Sequence, residues 1–170
     1  MTIRILGAIL ILIGCGGFGA LAAVAYKRET STLKSFVESM DIMESELRYR
    51  KTPLPQLCHY IADIQSGVIK SFFLCLESEL LRQVQPDAAR CAVQALNKTQ
   101  QMPKHTAEMI LQFTKTLGKF DVEGQLLGIQ AVKSEATLRL NQMSKDQAQR
   151  MKNYRTLGVC AGAAIIILFI

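Results

Sequence analysis

The 170-residue chain has no tryptophan, two histidines and four prolines. With so few imidazoles, and with no HExxH, no CxxC and no carboxylate–histidine set at ligand spacing, a metal centre has no support in the sequence. Neither GxxxxGK[ST] nor a strand-linked GxGxxG occurs. The one glycine-rich stretch, Gly14-Cys-Gly-Gly-Phe-Gly, lies inside a long apolar run where a phosphate loop cannot work. Alternating apolar and polar runs bounded by turn dipeptides are missing, which argues against a β architecture. The five cysteines form no disulfide framework. Cys58, Cys75 and Cys91 fall on apolar helix faces, where a free thiol behaves as a small hydrophobe, and Cys15 and Cys160 sit in the apolar ends. No catalytic residue, metal ligand, cofactor or small-molecule substrate is expected, and the chain reads as a non-enzyme.

What the chain does have is unevenly distributed hydrophobicity, 49% overall. From Ile5 to Tyr26 there is no charge, a run of about 22 residues that spans roughly 33 Å as a helix, against a hydrocarbon core of about 30 Å. Arg4 precedes it, and Lys27 and Arg28 follow. At the other end Thr156 to Ile170 is again uncharged and closes on Ala-Ala-Ile-Ile-Ile-Leu-Phe-Ile. At about 15 residues this run is shorter than the roughly 20 of an ordinary span; it crosses with Lys152 and Arg155 snorkelling and some bilayer thinning, the first reading, or stops part-way, the alternative. The expected organisation is an N-terminal transmembrane segment at 1–26, a helical domain at 27–155 and a C-terminal transmembrane segment at 156–170. Gly16 with Ala20 and Gly158 with Gly162 place small residues at helical spacing, suited to close helix packing in lipid or simply typical of membrane helices.

Two processing signals compete with the first span. Ala23-Val-Ala25 has the small residues of a signal-peptidase site, and Leu12-Ile13-Gly14-Cys15 fits a lipobox. The chain after Cys15 stays membrane-compatible instead of becoming a polar tether, so an uncleaved span is the first reading and a cleaved or lipidated extracytoplasmic protein the alternative. The basic residues Lys27, Arg28, Arg150, Lys152 and Arg155 flank the middle domain, while Arg4 lies opposite, and this bias orients the domain to the cytoplasm. Much of the net charge of +6 sits in these membrane-facing positions and is not interleaved with aromatics, which argues against nucleic acid.

Between the ends the pattern is helical almost throughout. Leu33, Phe36, Val37, Met40, Met43 and Leu47 recur at three- and four-residue steps on a helix running from the first span to about Lys51. Thr52-Pro53 stops it and starts the next, with Thr52 as N-cap and Leu54, Leu57, Cys58 and Ile61 on the buried side. Ser66-Gly67 breaks this helix. A third carries Ile69, Phe72, Phe73, Leu76 and Leu80 and ends before Gln85-Pro86-Asp87. Asp87 caps a fourth with Ala88, Cys91, Ala92, Ala95 and Leu96 inward. The fifth follows Met102-Pro103, buries Met109, Ile110, Phe113 and Leu117, and ends at Gly118, a residue suited to a left-handed C-cap. Asp121 caps a long sixth helix through Leu126, Ile129, Val132, Ala136 and Leu140 into the second apolar run. Six amphipathic helices with short turns hide their apolar faces against one another, so the fold class is all-α: an antiparallel bundle of about six helices between two transmembrane helices. Glu44 with Arg48 and Glu46 with Arg50 are i,i+4 pairs that read as a solvated helix face.

Two stretches, Glu44-Ser-Glu-Leu-Arg-Tyr-Arg-Lys-Thr-Pro-Leu54 and Leu117-Gly-Lys-Phe-Asp-Val-Glu-Gly-Gln125, resemble the signatures of the stage III sporulation protein AB family. Their order and spacing and the terminal apolar segments match as well, over essentially the whole chain. The resemblance implies a membrane protein of endospore-forming bacteria, made in the mother cell and needed for the channel to the forespore. Its helical domain is similar to the cytoplasmic domains of inner-membrane platform proteins in type II secretion and type IV pilus machines. By that analogy its partners are the stage III sporulation protein AA ATPase and other channel subunits, in the mother-cell membrane around the forespore. With helices one and six starting and ending at the membrane, both signature turns fall at the distal end of the bundle. Tyr49, Thr52, Pro53, Leu54, Leu117, Gly118, Asp121 and Gln125 then become candidate partner-binding residues, with a purely folding role for the same motifs as the competing reading. A membrane-tethered helical adaptor or sensor outside sporulation is the alternative function.

Overall fold

In the computed structural model the backbone is described for residues 2–50, 52–82, 87–115, 117 and 122–169, and side chains for 24–50, 52–82, 87–115, 117 and 122–145. Six helices follow one another: α1 (Thr2–Tyr49), α2 (Leu54–Ile64), α3 (Gly67–Arg82), α4 (Ala88–Lys98), α5 (Lys104–Thr114) and α6 (Val122–Phe169). Among the described residues there is no strand. The chain divides into two compact units, one of residues 31–140 and one of 1–30 with 141–170.

The 31–140 unit is the helical bundle. Its interior is built from the residues the periodicity marks: Leu33, Phe36, Met40 and Met43 of α1, Leu57, Cys58 and Ile61 of α2, and Ile69, Phe72, Phe73, Leu76 and Leu80 of α3 are all buried. The α4 contribution is small side chains, Ala88, Cys91, Ala92 and Ala95; α5 adds Met109, Ile110 and Phe113, Leu117 follows from the segment after it, and α6 adds Ile129, Val132 and Ala136. Val37, Leu47, Leu54, Leu96, Leu126 and Leu140 are half-buried at the margins of these stripes. The Phe72 and Phe73 rings meet edge to face at 5.2 Å, a geometry that satisfies the ring quadrupoles. Sequence-adjacent helices pack in turn, α2 on α3, α3 on α4 and α4 on α5. Between α3 and α4, the Lys98 ammonium donates to the Glu79 carboxylate, which is buried; a buried carboxylate is tolerable only with such a partner.

The turns follow local chemistry, with two departures from expectation. Asp87 caps α4, its Oδ1 accepting from the Ala89 N–H at 3.0 Å. Gly67 opens α3 at φ +62 with nothing within 4 Å of an added Cβ, so the position selects glycine for backbone freedom alone. Thr52, however, does not cap α2. Pro53 is the N-cap, with extended backbone and no side-chain cap bond, and the Thr52 hydroxyl donates to Glu46 Oε2 at 2.7 Å instead. The proline tolerated in the first turn is Pro55, whose missing N–H has no intrahelical partner to lose. At the α4–α5 turn Gln101 takes φ 66, the left-handed region, without being glycine. Finally, α5 stops at Thr114, before the expected end at Gly118. Gly118, Asp121 and the Gln85-Pro86 turn lie outside the described residues.

In the unit of 1–30 with 141–170, the Tyr26 hydroxyl donates to the Met143 carbonyl at 3.0 Å, joining α1 to α6. Lys27 and Arg28 are exposed. Among the described residues no helix is long and apolar enough to cross a membrane. The side chains of the expected spans 1–26 and 156–170 lie outside the described residues, apart from those of 24–26. So do those of Arg150, Lys152 and Arg155, the cysteines Cys15 and Cys160, and the small-residue pairs Gly16–Ala20 and Gly158–Gly162.

Candidate functional site

The last three turns of α1 carry Asp41, Glu44, Glu46, Arg48 and Tyr49, and the first four of α6 carry Gln125, Gln130 and Lys133. Helical spacing makes Asp41 with Glu44, and Gln130 with Lys133, i,i+3 pairs on one face each. The two faces meet. Lys133 Nζ donates to Glu44 Oε2 at 2.6 Å, and Gln130 Nε2 donates to Glu44 Oε1 at 2.8 Å. Lys133 also pairs with Asp41 Oδ1 at 3.0 Å, and Arg48 donates to Glu44 Oε1 at 3.0 Å. The pairings run 41 with 133 and 44 with 130, so α1 and α6 are antiparallel here, and continuing that register sets Tyr49 beside the first turn of α6, where Gln125 lies.

The electrostatics follow from that clustering. The hydrogen bonds from Lys133 and Gln130 hold the Glu44 carboxyl at about 2, well below its ordinary 4.5, against an opposing desolvation. Glu44 and Asp41 in return raise the Lys133 ammonium. Glu44 and Glu46 are only 16% and 12% exposed at their side chains, whereas their partners Arg48 and Arg50 are 45% and 73% exposed. The expected solvated face is thus corrected: both i,i+4 pairs form, but their carboxylates are recessed. Glu44 is cross-linked to α6, and Glu46 to the Thr52 hydroxyl in the α1–α2 turn.

Of the residues singled out by sequence, Tyr49 is 79% exposed at the end of α1. Pro53 is exposed, and Thr52, Leu54 and Gln125 are half-buried. Leu117 is 4% exposed and belongs to the core. Asp41, Gln130 and Lys133 were not singled out by sequence reasoning. Their signal is the matched i,i+3 spacing of two carboxylates on one helix and an amide and an ammonium donor on the other, which becomes informative only once the two helices are known to be neighbours.

A second feature lies between α2 and α3, a shallow groove of about 310 Å³ lined by Pro55, Gln56, His59, Glu77 and Leu81. His59 Nδ1 is 3.1 Å from Glu77 Oε2, and its Nε2 is 3.6 Å from Asp63 Oδ2. The two carboxylates, Glu77 first, favour the imidazolium and raise His59 above its ordinary value. Next to it in sequence, the Cys58 thiol is pushed up to about 12 by burial and by the charge of Glu77, so it stays protonated and unreactive at neutral pH. Among the described residues no group of three His, Cys, Asp or Glu side chains could hold a metal ion.

Comparison with known proteins agrees with the fold and with the family resemblance. The profile of the family described as Stage III sporulation protein AB matches residues 4–170. The chain is 25% identical over 170 residues to Stage III sporulation protein AB of Bacillus subtilis (strain 168), covering 98% of each chain. A solved structure of Stage III sporulation protein AB (SpoIIIAB) superposes with a TM-score of 0.64 at 21% identity, over 72% of this chain and 98% of that one. At that identity the likeness speaks for the fold.

Proposed function

Since the chain belongs to the stage III sporulation protein AB family, we propose that this sporulation protein is a non-catalytic membrane component of the mother-cell to forespore channel that docks a secretion-type ATPase. The apolar segments 1–26 and 156–170 anchor it in the mother-cell membrane around the forespore. Lys27, Arg28, Arg150, Lys152 and Arg155 face anionic headgroups, each contributing about 1 kcal/mol near the surface. The domain 27–155 lies on the cytoplasmic side, where the stage III sporulation protein AA ATPase and other channel subunits are its partners.

The observation that carries the docking part is Tyr49. It is a large aromatic left 79% exposed on a helix whose preceding two turns are tied to α6 by three polar contacts, from Gln130 and Lys133 to Glu44 and from Lys133 to Asp41. Ordering an exposed aromatic on a rigid element costs little on binding, and Tyr is a frequent anchor of interfaces. In this reading Thr52 and Pro53 build the turn, Glu46 fixes Thr52, and Leu117 supports the α5–α6 connection from within. Tyr49, Leu54 and Gln125 make the contact, together with Gly118 and Asp121.

Tyr49→Ala and Gln125→Ala, introduced in place of the native gene, are expected to leave helicity by circular dichroism unchanged and to lower heat-resistant spore yield by at least tenfold. Normal spore yield from both variants would remove this end of the bundle from the docking role and leave its motifs to folding.

A further inference from the structure

Resting on the docking end just proposed, we infer that the surface around Tyr49 is a cationic, aromatic-centred patch whose partner presents an acidic face with an apolar pocket. The inference comes from the vertical arrangement of charge. Glu44 and Glu46 are drawn inward, toward Lys133 and Gln130 in one case and Thr52 in the other, and keep 16% and 12% of their side-chain exposure. Arg48 and Arg50 lie over them at 45% and 73% exposure, on either side of Tyr49 in sequence. A sequence that counts as two neutral ion pairs therefore presents guanidiniums outward and carboxylates inward. Part of the arginine donor capacity remains directed at solvent, because each guanidinium has five N–H groups and each pair here is a single short contact, 3.0 Å for Arg48 and 3.3 Å for Arg50.

Charge placed this way has two consequences for a partner. Outward guanidiniums steer an acidic surface and raise its association rate, an effect that weakens as salt screens it over about 10 Å. An acidic surface also finds bidentate donors beside an aromatic face, the combination enriched where binding energy concentrates. A basic partner meets like charge at the rim and is disfavoured. Glu123 is exposed in the first turn of α6, and continuing the antiparallel register brings that turn to the same end of the bundle.

The test uses the full-length chain and the stage III sporulation protein AA ATPase, with association rate and Kd measured at low and high sodium chloride. The wild type is expected to bind more slowly by about tenfold at high salt. Arg48→Gln/Arg50→Gln should show that slow rate at both salt concentrations, while Arg48→Lys/Arg50→Lys keeps the rate and its salt dependence. Tyr49→Ala should raise the dissociation rate with the association rate unchanged. If Tyr49→Ala weakens binding but Arg48→Gln/Arg50→Gln alters neither the rate nor its salt dependence, the cationic patch is wrong and the docking end stands. If the ATPase binds and neither variant changes anything, or if it does not bind at all, the docking end itself fails and this inference with it.

Discussion

Replacing Glu44 by Gln removes one charge and little volume, and it probes the link between the end of α1 and the start of α6. The carboxyl is held at about 2 against an ordinary 4.5. At about 1.4 kcal/mol per tenfold change in proton affinity, that difference corresponds to about 3 kcal/mol of stability at neutral pH. Water discounts it, since Arg48 and Lys133 are 45% and 28% exposed, and Lys133 keeps Asp41 as a partner in the variant. A loss of about 2 kcal/mol is therefore expected. The sign is fixed by the direction of the shift. The folded value lies below the unfolded one, so the stabilisation is complete above about pH 4.5 and disappears as pH falls toward 2. Urea unfolding of wild type and Glu44→Gln, followed by circular dichroism at pH 7, 4 and 2.5, should give a gap of about 2 kcal/mol that narrows steadily on acidification. A gap of the same size at pH 2.5 would mean that the residue acts through packing, and no gap at pH 7 would refute the cross-helix charge network altogether.

Three further outcomes are expected. Asp87→Ala should destabilise the chain by about 1 kcal/mol through loss of the α4 cap, with Asp87→Ser restoring most of it in the same unfolding assay. Gln101→Gly should stabilise by about 0.5–1 kcal/mol, seen as a rise of a few degrees in Tm, because the left-handed φ no longer opposes a side chain. In peptide-mapped thiol labelling at neutral pH, the half-buried Cys75 should react well ahead of Cys58 and Cys91, both of which are fully buried and raised by desolvation. Equal rates at all three would show that the bundle opens readily.

The apolar periodicity carried the architecture. Phe36, Met40 and Met43 on α1, or Phe72, Phe73 and Leu76 on α3, recur at steps that leave no other face to bury, and each is inside. Asp87 was legible for a similar reason, since a short acidic side chain next to a proline and ahead of an alanine run has one obvious use. Thr52 was not. Its residue type suits a cap, but Glu46 competes for its hydroxyl and Pro53 takes the cap position, and that competition depends on how the chain leaves α1. The α5 end was misplaced because Gly118 is a strong local stop, yet helix formation ceases at Thr114 while Leu117 still reaches the core. The polar network was hidden most deeply. Glu44 and Arg48 read as an ordinary surface pair on one helix, and only the antiparallel approach of α6 turns the carboxylate inward toward Gln130 and Lys133. The same approach decides that Tyr49 stands out among recessed acids and raised arginines, which a linear sequence presents as neutral.

The most direct test of the docking end is site-specific photo-cross-linking in sporulating cells. A benzophenone side chain replaces Tyr49 in one strain and Val93, exposed on α4, in another. An adduct with the stage III sporulation protein AA ATPase is expected from position 49 and none from position 93. An adduct from 93 with none from 49 would contradict docking at this end.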